Sequence, residues 1–356
     1  MNMKIYILLL GALISCELNK EQTMEHWKAY ESLGLKRNNE EFSKMLFLNE
    51  KVGLLVGTNY SDKTILEKKF NEQNAVIYLT GDGGRTWKES VLGKGRFVDV
   101  SSANDTLFSL CNNTDSNFYS LINLSIIYTS ANTGQSWAIV HKFPFYIRDI
   151  RFLNSLEGVA IGRDLKEAKV KWQILKTHDG GINWQTIGTE DEIAENPIIA
   201  GKELIYFSRK SDKSDKLLQK RLIQINLEDH LKRFSLLPIG FDPIFSFPVD
   251  GNLWLIGTQG NKASIISLIN NKISTVKLFE EADLSPKYFN FYQGKSIIVM
   301  SKLSSFSTRN LVFSSNDGGK NWIQERLPID DYGFPISSYQ NATWIYSGSG
   351  RMQKRE

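Results

Sequence analysis

The segment TGDGGRTW at residues 80–87 occurs three more times in the chain with the same residue types at the same offsets. The other copies are SANTGQSW (130–137), THDGGINW (177–184) and SNDGGKNW (315–322). Each copy has a hydroxyl residue, then Asp or Asn, then Gly, and finally Trp. Such a string is either a turn that the fold uses repeatedly or a chemical signature, and the spacing of the copies helps to decide between the two.

The spacing identifies the string as part of a structural repeat. Successive Trp residues of the string are 50, 47 and 138 residues apart, and 138 is three times 46. Two units that lack the string are therefore expected between the third and fourth copies. Segments 221–237 and 263–278 each contain two alternating apolar runs around a polar turn, as such units should. The chain is thus built from units of about 47 residues.

Each unit also contains a strand pair upstream of the string. Segments 45–57 (MLFLNEKVGLLVG) and 151–163 (IRFLNSLEGVAIG) are close copies, and both fit a strand, a tight polar turn and a second strand. A complete unit then has four antiparallel strands, which is the blade of a β-propeller. The sequence therefore predicts an all-β fold.

The length of the chain predicts seven blades. Six units lie between residues 44 and 326, and the seventh is divided between the two ends of the chain. Residues 334–355 provide three strands, and residues 26–34 (HWKAYESLG) fit the Trp-led fourth strand of the same unit. Joining the two ends closes the ring and leaves no blade with an unpaired end. A ring of six blades with irregular ends is the alternative.

The recurring string is similar to the Asp-box, or BNR repeat, of sialidase-type propellers and sortilin-type receptors. The whole repeat resembles photosystem II assembly-factor-like propellers, and this resemblance implies that the chain binds or scaffolds partners without chemistry of its own. The residues that match the Asp-box are Thr80, Asp82, Gly84, Trp87, Ser130, Asn132, Gly134, Trp137, Thr177, Asp179, Gly181, Trp184, Ser315, Asp317, Gly319 and Trp322.

The residue types of the string suit a tight hairpin turn. Gly supplies the positive φ that such a turn needs, and a short Asp or Asn side chain accepts hydrogen bonds from the N–H groups of its own turn. Trp places a large apolar face between sheets. Because four copies spread around a ring cannot converge on one substrate, we expect the string to stabilise the fold and not to catalyse.

The N-terminus has the layout of a bacterial lipoprotein signal. Lys4 supplies a positive charge, residues 5–14 form a short apolar run, and the sequence Leu-Ile-Ser-Cys that ends at Cys16 resembles a lipobox. This resemblance implies cleavage before Cys16 and attachment of lipid to that residue, which places the protein in the cell envelope. An ordinary signal peptide with a coincidental Cys is the alternative.

The lipoprotein interpretation divides the chain into three parts. Residues 1–15 are the signal peptide, residues 16–24 are a lipidated tether, and residues 25–356 are the propeller. Cys111, the other cysteine, lies in an apolar run and is expected to be a buried thiol that does not react.

The composition makes several classes of function improbable. The net charge is only +4, and no zinc-finger spacing or long basic run is present, so we expect no nucleic-acid partner. The four His residues show no metal-ligand spacing, so no metal site and no cofactor are expected.

A binding function is expected on the face of the propeller that carries its long insertions. These insertions connect the second and third strands of the units, and loops on a rigid scaffold are where binding residues concentrate. Loops 162–171 and 208–221 carry net charges of +2 and +4, which favours a protein partner with an acidic surface. Solvated loops without a partner are the alternative. The candidate residues are Tyr60, Tyr119, Arg163, Lys169, Arg209, Lys210, Lys213 and Lys216.

An enzymatic function has weaker support in the sequence. The resemblance to sialidases implies three arginines that bind a substrate carboxylate. Arg96 and Arg148 hold equivalent positions before the first strands of the second and third units, with Asp149 and Arg151 nearby, but no third equivalent Arg is present.

The sequence thus favours a membrane-anchored, non-catalytic lipoprotein that binds or scaffolds a protein partner. A toxin-neutralising immunity or inhibitor lipoprotein is one alternative. A sialidase-like glycosidase or a glycan-binding protein is the other.

The lipid anchor can be tested by the substitution Cys16→Ala. We expect the variant to leave the membrane fraction, because the three acyl chains of a lipoprotein would hold the protein firmly whereas a single chain gives only marginal binding. The measurement is the distribution of wild type and variant between membrane and soluble fractions. A variant that stays in the membrane, together with uncleaved wild type, would contradict the anchor.

Overall fold

The computed structural model describes fifteen segments of the chain. They are residues 27–35, 40–60, 73–114, 123–163, 171–191, 193–200, 203–209, 220–249, 252–269, 272–292, 295–303, 308–325, 335–340, 342–347 and 351–355. The regular structure within these segments consists of 28 β-strands. None of the described residues belongs to an apolar helix that is long enough to cross a membrane.

The strands form seven antiparallel sheets of four strands each, and six of these sheets, blades 1 to 6, follow one another along the chain. Blade 1 contains β2 (Glu40–Phe47), β3 (Gly53–Asn59), β4 (Asn74–Thr80) and β5 (Lys88–Lys94). Blade 2 contains β6 (Arg96–Ala103), β7 (Thr106–Thr114), β8 (Asn123–Ser130) and β9 (Ala138–Phe143). Blade 3 contains β10 (Tyr146–Phe152), β11 (Gly158–Arg163), β12 (Trp172–Thr177) and β13 (Gln185–Glu190).

The units without the string also form complete blades. Blade 4 contains β14 (Ile193–Ala200), β15 (Glu203–Arg209), β16 (Arg221–Asn226) and β17 (Lys232–Leu236). Blade 5 contains β18 (Phe241–Val249), β19 (Asn252–Gln259), β20 (Lys262–Ile269) and β21 (Lys272–Ala282). Blade 6 contains β22 (Leu284–Tyr292), β23 (Lys295–Leu303), β24 (Thr308–Ser315) and β25 (Ile323–Glu325).

The seventh sheet joins the two ends of the chain and is called the closing blade. It contains β26 (Ile336–Tyr339), β27 (Ala342–Ser347), β28 (Arg351–Arg355) and β1 (Trp27–Glu31), with β1 paired to β28. The predicted propeller of seven four-stranded blades, closed by an N-terminal strand, is therefore confirmed, and the alternative of six blades is wrong. Residues 1–26, with the signal peptide, Cys16 and the tether, lie outside the described residues.

The first strand of each blade lines the central channel, and in blades 1 to 6 it has a β-bulge. In blade 1 the register shifts between Phe42 and Lys44, which leaves Ser43 as the extra residue. The second strand comes very close to this bulge at Gly57, where a Cβ atom would lie 2.0 Å from the carbonyl oxygen of Glu41. Only glycine fits there, so the Gly that ends the MLFLNEKVGLLVG segment is needed for the bulge.

The bulge of blade 3 inserts a charged residue. The register shifts between Ile147 and Asp149, so Arg148 is the extra residue, and Gly162 takes the place that Gly57 has in blade 1. A bulge bends its strand and changes the direction of a side chain. In a regular strand, successive side chains point to opposite faces of the sheet. The bulge interrupts this alternation and thereby places charged side chains on the channel wall.

The core of the described residues is divided into seven apolar clusters, each between two neighbouring blades. The Trp of the recurring string always packs against the preceding blade: Trp87, for example, lies in one cluster with Trp344 and Met352 of the closing blade. Trp27 follows the same rule, since it packs on Ile297 and Val299 of blade 6. The clusters explain why each blade needs two neighbours to bury its apolar faces.

On one side, the closing blade is bound to blade 6 through Glu325. The indole N–H of Trp27 donates to this carboxylate, and Arg355 forms an ion pair with it. The Arg355 guanidinium also lies 5.6 Å from the centroid of the Trp27 ring. One half-buried carboxylate therefore binds two neighbouring strands of the closing blade, β1 and β28.

On its other side, the N-terminal strand is bound to blade 1. The Tyr30 hydroxyl donates to the carbonyl oxygen of Gly83 at 2.7 Å, and the Ser32 hydroxyl donates to that of Gly84 at 2.7 Å. Just after the strand, the Leu33 N–H donates to the carbonyl oxygen of Arg85 at 2.9 Å. The strand thus connects three blades.

Truncation tests the role of this strand in closure. Removing residues 1–34 should lower the melting temperature and cause aggregation, because β28 becomes an open edge and Glu325 loses the Trp27 indole. Removing residues 1–25 is the matched control, which keeps β1 and should melt as the mature protein does. The measurements are thermal unfolding and size-exclusion chromatography. If both truncated proteins were monomeric and melted at the same temperature, β1 would not be needed to close the ring.

Candidate functional site

The four copies of the string form one kind of turn, which we name the Asp-Gly turn. It joins the third and fourth strands of blades 1, 2, 3 and 6. In blade 1 the Thr80 hydroxyl donates to Asp82 Oδ1 at 2.9 Å and accepts from the N–H of Gly84 at 2.9 Å. The indole N–H of Trp87 donates to the Gly84 carbonyl oxygen at 3.0 Å. These side chains therefore form a hydrogen-bonded network within the turn.

The Asp82 carboxylate is the centre of this network. Its Oδ1 accepts from the N–H groups of Arg85 at 3.0 Å and Thr86 at 2.9 Å, and its Oδ2 accepts from the Thr86 hydroxyl at 2.6 Å. Burial acts to raise the pKa of Asp82, but the hydrogen bonds from Thr86 and Thr80 lower it below the usual value.

The other three turns repeat these contacts. Their residues are Ser130, Asn132, Gly134 and Trp137 in blade 2, Thr177, Asp179, Gly181 and Trp184 in blade 3, and Ser315, Asp317, Gly319 and Trp322 in blade 6. The N–H of Asn183 lowers the pKa of Asp179 to about 2, and the N–H of Asn321 lowers that of Asp317 to about 2.

The Asp-Gly turns do not form a common site. Each lies next to the outermost strand of a different blade, and the hydroxyl and Asp or Asn side chains of each turn bond within that turn. We call the face of the propeller that carries them the turn face, and the opposite face, where the second and third strands are joined, the loop face. This dispersal supports a stabilising role for the string.

A network of ion pairs does converge at the central channel, on blades 1 to 3. Asp99 of β6 accepts from Lys44 Nζ of β2 at 2.8 Å and from Arg151 Nη1 of β10 at 2.6 Å. Burial acts to raise the pKa of Asp99, but the charges of Lys44 and Arg151 lower it. Three blades are thus connected through one buried carboxylate.

The network continues to Asp149, a neighbour of the bulge in blade 3. Its carboxylate lies 3.9 Å from Arg151 and 3.8 Å from Arg148. Burial outweighs the nearby positive charges and raises the pKa of Asp149. Arg96 pairs separately with Glu41 at 3.0 Å. Arg148, Asp149 and Arg151 are therefore close together, whereas Arg96 lies apart from them, and each of the three arginines has a carboxylate partner.

Arg163 has no such partner. It is the last residue of β11, at the loop face, and makes no hydrogen bond or ion pair with another of the described residues. Its guanidinium lies 5.0 Å from the centroid of the Trp172 ring, and Arg148 lies 5.8 Å from the same ring. Burial raises the pKa of the Tyr146 hydroxyl above its usual value, and the positive charges of Arg148 and Arg163 reduce this increase. Among the described residues, this end of the channel thus has a guanidinium without an anionic partner, held over a rigid aromatic ring.

The other predicted binding residues are not gathered into one described site. Tyr60 follows β3, and burial together with the nearby Glu41 carboxylate raises its pKa to about 12. Arg209 is the last residue of β15. Tyr119, Lys169, Lys210, Lys213 and Lys216 lie outside the described residues.

Two charges of loop 208–221 are engaged within the fold. Lys220 forms an ion pair with Asp242, and the Arg221 guanidinium lies 5.7 Å from the Phe234 ring centroid. The net charge that this segment offers to a partner is therefore smaller than the +4 of its sequence.

Sequence reasoning missed Lys44, Asp99 and Trp172. A signal for Asp99 was present, since it is a lone carboxylate between the apolar residues Val98 and Val100 of a channel strand. No comparable signal marked Trp172, because its neighbours Arg148 and Arg163 are brought to it by the pairing of β10, β11 and β12. Among the described residues, no group of three or more His, Cys, Asp or Glu side chains is arranged to hold a metal ion.

Comparisons with known proteins support the fold. No protein-family model matches the sequence, and no curated protein matches it. Among solved structures, the chain is similar to an oligogalacturonate lyase from Vibrio parahaemolyticus, with a TM-score of 0.60, 9% identity and coverage of 92% of this chain and 96% of that one.

Two further structures show the same architecture. The β-propeller domain of the Trilobed protease from Pyrococcus furiosus gives a TM-score of 0.56 at 10% identity, over 86% of this chain and 91% of that one. The Trypanosoma rangeli sialidase gives 0.50 at 12% identity, over 81% and 59%. At these identities the similarity shows the propeller fold alone.

Blade 2 supplies a natural control for the role of the Asp-Gly turns. Asp82→Ala should lower the free energy of unfolding by about 1 kcal/mol, the net value of a typical hydrogen bond, since the exposed carboxylate lets water replace part of what is lost. Asp82→Asn should cost less, because Asn132 forms the same turn, accepting from the Ser136 N–H at 3.0 Å. The measurement is denaturant unfolding at pH 7.

The effect of these substitutions on the free energy of unfolding should depend on pH. The pKa of Asp82 is lower in the folded state, so the charged carboxylate stabilises the fold above the unfolded pKa of about 3.9, and this contribution is lost as the pH falls through the lower folded value. The difference between wild type and Asp82→Asn should therefore shrink in acid. A difference that grows in acid would contradict this assignment.

Proposed function

We propose that the protein is a membrane-anchored, non-catalytic propeller lipoprotein that binds an acidic surface of a protein partner through its loop face. The observation that carries this proposal is Arg163, a half-buried guanidinium with no anionic partner among the described residues. A partly desolvated charge is costly unless it is paired, so a carboxylate from a partner would be bound favourably at this position.

The neighbours of Arg163 make the site specific. Trp172 is buried and holds Arg163 and Arg148 over its ring, so little side-chain freedom is lost when a partner binds. A rigid aromatic residue with adjacent arginines is the type of residue group that dominates binding energy in interfaces. Segment 210–219 has a net charge of +1, and it connects strands that end at the same face as Arg163.

The position of the N-terminal strand fits an anchored binder. In the closing blade, Trp27 pairs with Arg355, which pairs with Thr343 beside the turn between β26 and β27. Trp27 therefore lies at the turn-face end of its blade. A tether that enters there would direct the turn face toward the membrane and leave the loop face accessible to a partner.

The alternatives differ in what they require of the site. An immunity or inhibitor lipoprotein would use the same face, with a toxin as the acidic partner. A sialidase-like glycosidase requires arginines that are free to bind a substrate carboxylate, whereas Arg96 and Arg151 already pair with Glu41 and Asp99. This pairing favours binding over hydrolysis.

The proposal is tested by capturing partners from solubilised native membranes. Immobilised wild type should retain a protein that Arg163→Glu binds at least tenfold more weakly, because the substitution replaces attraction by repulsion at a partly buried position. Reversing Lys210, Lys213 and Lys216 to Glu should mainly slow association and flatten its salt dependence, and Tyr119→Ala should mainly speed dissociation. The measurements are mass spectrometry of the retained protein and surface plasmon resonance.

Lys88→Glu is the matched control, since Lys88 is an exposed cation next to an Asp-Gly turn on the opposite face. It should bind as wild type does, and all variants should melt close to wild type. A partner that binds Arg163→Glu as tightly as wild type, or that loses affinity only with Lys88→Glu, would overturn the assignment of the loop face.

A further inference from the structure

The channel has a second distinct environment at its turn-face end. A cavity of about 1000 Å³ lies there, bounded by residues of blades 1, 2, 5 and 6 and of the closing blade. On β2 its lining runs from Lys44 to Phe47 and on to Asn49 in the turn that follows. The cavity therefore begins at the ion network and extends to the turn face. Its volume is at the upper end of the range for small-molecule sites.

The lining is rich in hydroxyl and amide groups. Those on the inner strands and their turns include Ser101, Ser102, Asn104, Ser246, Asn290 and Ser338. A hydroxyl both donates and accepts, and an amide offers two donors and one acceptor, so these groups suit a ligand that itself carries many hydroxyls. These groups come from blades 2, 5 and 6 and the closing blade, so the lining of the cavity is contributed by several inner strands.

An aromatic platform stands among these polar groups. Phe289 is half-buried and lines the cavity, and its ring is held by Phe247 at a centroid distance of 4.3 Å and by Phe245 at 6.1 Å. Such support fixes the orientation of the ring. An exposed aromatic face next to hydrogen-bonding groups matches a pyranose ring, which has C–H groups on its faces and hydroxyls at its edge.

The charge of the lining distinguishes this site from the loop face. Among the described lining residues, the Lys and Asp side chains are Lys44 and Asp105, and Lys44 is paired with Asp99 at 2.8 Å. No unpaired cation is available to bind an acidic ligand there. Asp105 is an exposed carboxylate and would repel an acidic ligand, so the lining favours a neutral ligand over an acidic one.

We propose that the turn-face end of the channel is a binding site for a neutral oligosaccharide, separate from the loop face. Hydroxyl and amide groups of the inner strands bind the sugar hydroxyls, and Phe289 stacks on a ring face. The described lining includes no group of carboxylates positioned to cleave a glycosidic bond, so the site binds and does not hydrolyse.

The proposal is tested by isothermal titration calorimetry of the full-length protein with cellotetraose, maltotetraose and chitotetraose. At least one of these should bind to wild type. Ser102→Trp should weaken that binding at least tenfold, because the exposed Ser102 position allows a bulky side chain to fill the cavity without disturbing the core. Asn290→Ala should weaken it several-fold by removing one hydrogen-bonding group.

Thr186→Trp, on the exposed outer strand of blade 3, is the matched control and should bind as wild type does. Absence of binding by all three sugars at millimolar concentration would overturn the proposal, and so would equal binding by Ser102→Trp. Binding of tetragalacturonate in place of the neutral sugars would also overturn it. Capture of a protein by the loop face should be unchanged in Ser102→Trp, so the failure of one proposal is distinguishable from the failure of the other.

Discussion

The pairing of β1 with β28 is the interaction on which the rest of the propeller depends. Each apolar cluster lies between two blades, so a ring with one incomplete blade would leave two clusters poorly covered. The N-terminal strand supplies Trp27 to the cluster on blade 6 and reaches blade 1 through Tyr30. Closure of the ring is thus a long-range contact between the two ends of the chain, which forms at a high cost in chain entropy and is secured by side chains on both sides.

The bulges in the first strands give the channel its chemistry. In blade 3 the bulge places Arg148 and Asp149 on the channel wall near the loop face, where Arg151 extends the ion pairs to Asp99. Toward the turn face, the first strands of blades 2, 5 and 6 and of the closing blade present hydroxyl and amide side chains. The two ends of one channel therefore differ in charge, on a fold whose blades are otherwise repetitive.

Most of the fold was predictable because the repeat is local. The DGG turns and the alternating strands are short-range patterns, and even blades 4 and 5, which lack the string, keep its spacing. The candidate site was only partly predictable. Arg163 was identified from its charge, but its contact with Trp172 depends on strand register. The pairing of Lys44 with Asp99 joins different blades, and no spacing within one unit encodes the distance between two units.

The hydrogen bonds between β1 and β28 also determine how an anchored propeller would resist force. A pull on the tether acts at Trp27, which is opposite Arg355, the last residue of β28, while a partner on the loop face pulls in the other direction. The load then runs along the strand axis, and the hydrogen bonds, which are perpendicular to it, are strained together in shear. If the load instead acted at right angles to the strand axis, the hydrogen bonds would break one at a time. Glu325 accepts a hydrogen bond from Trp27 and forms an ion pair with Arg355 at the loaded end of this strand pair, where rupture would otherwise begin.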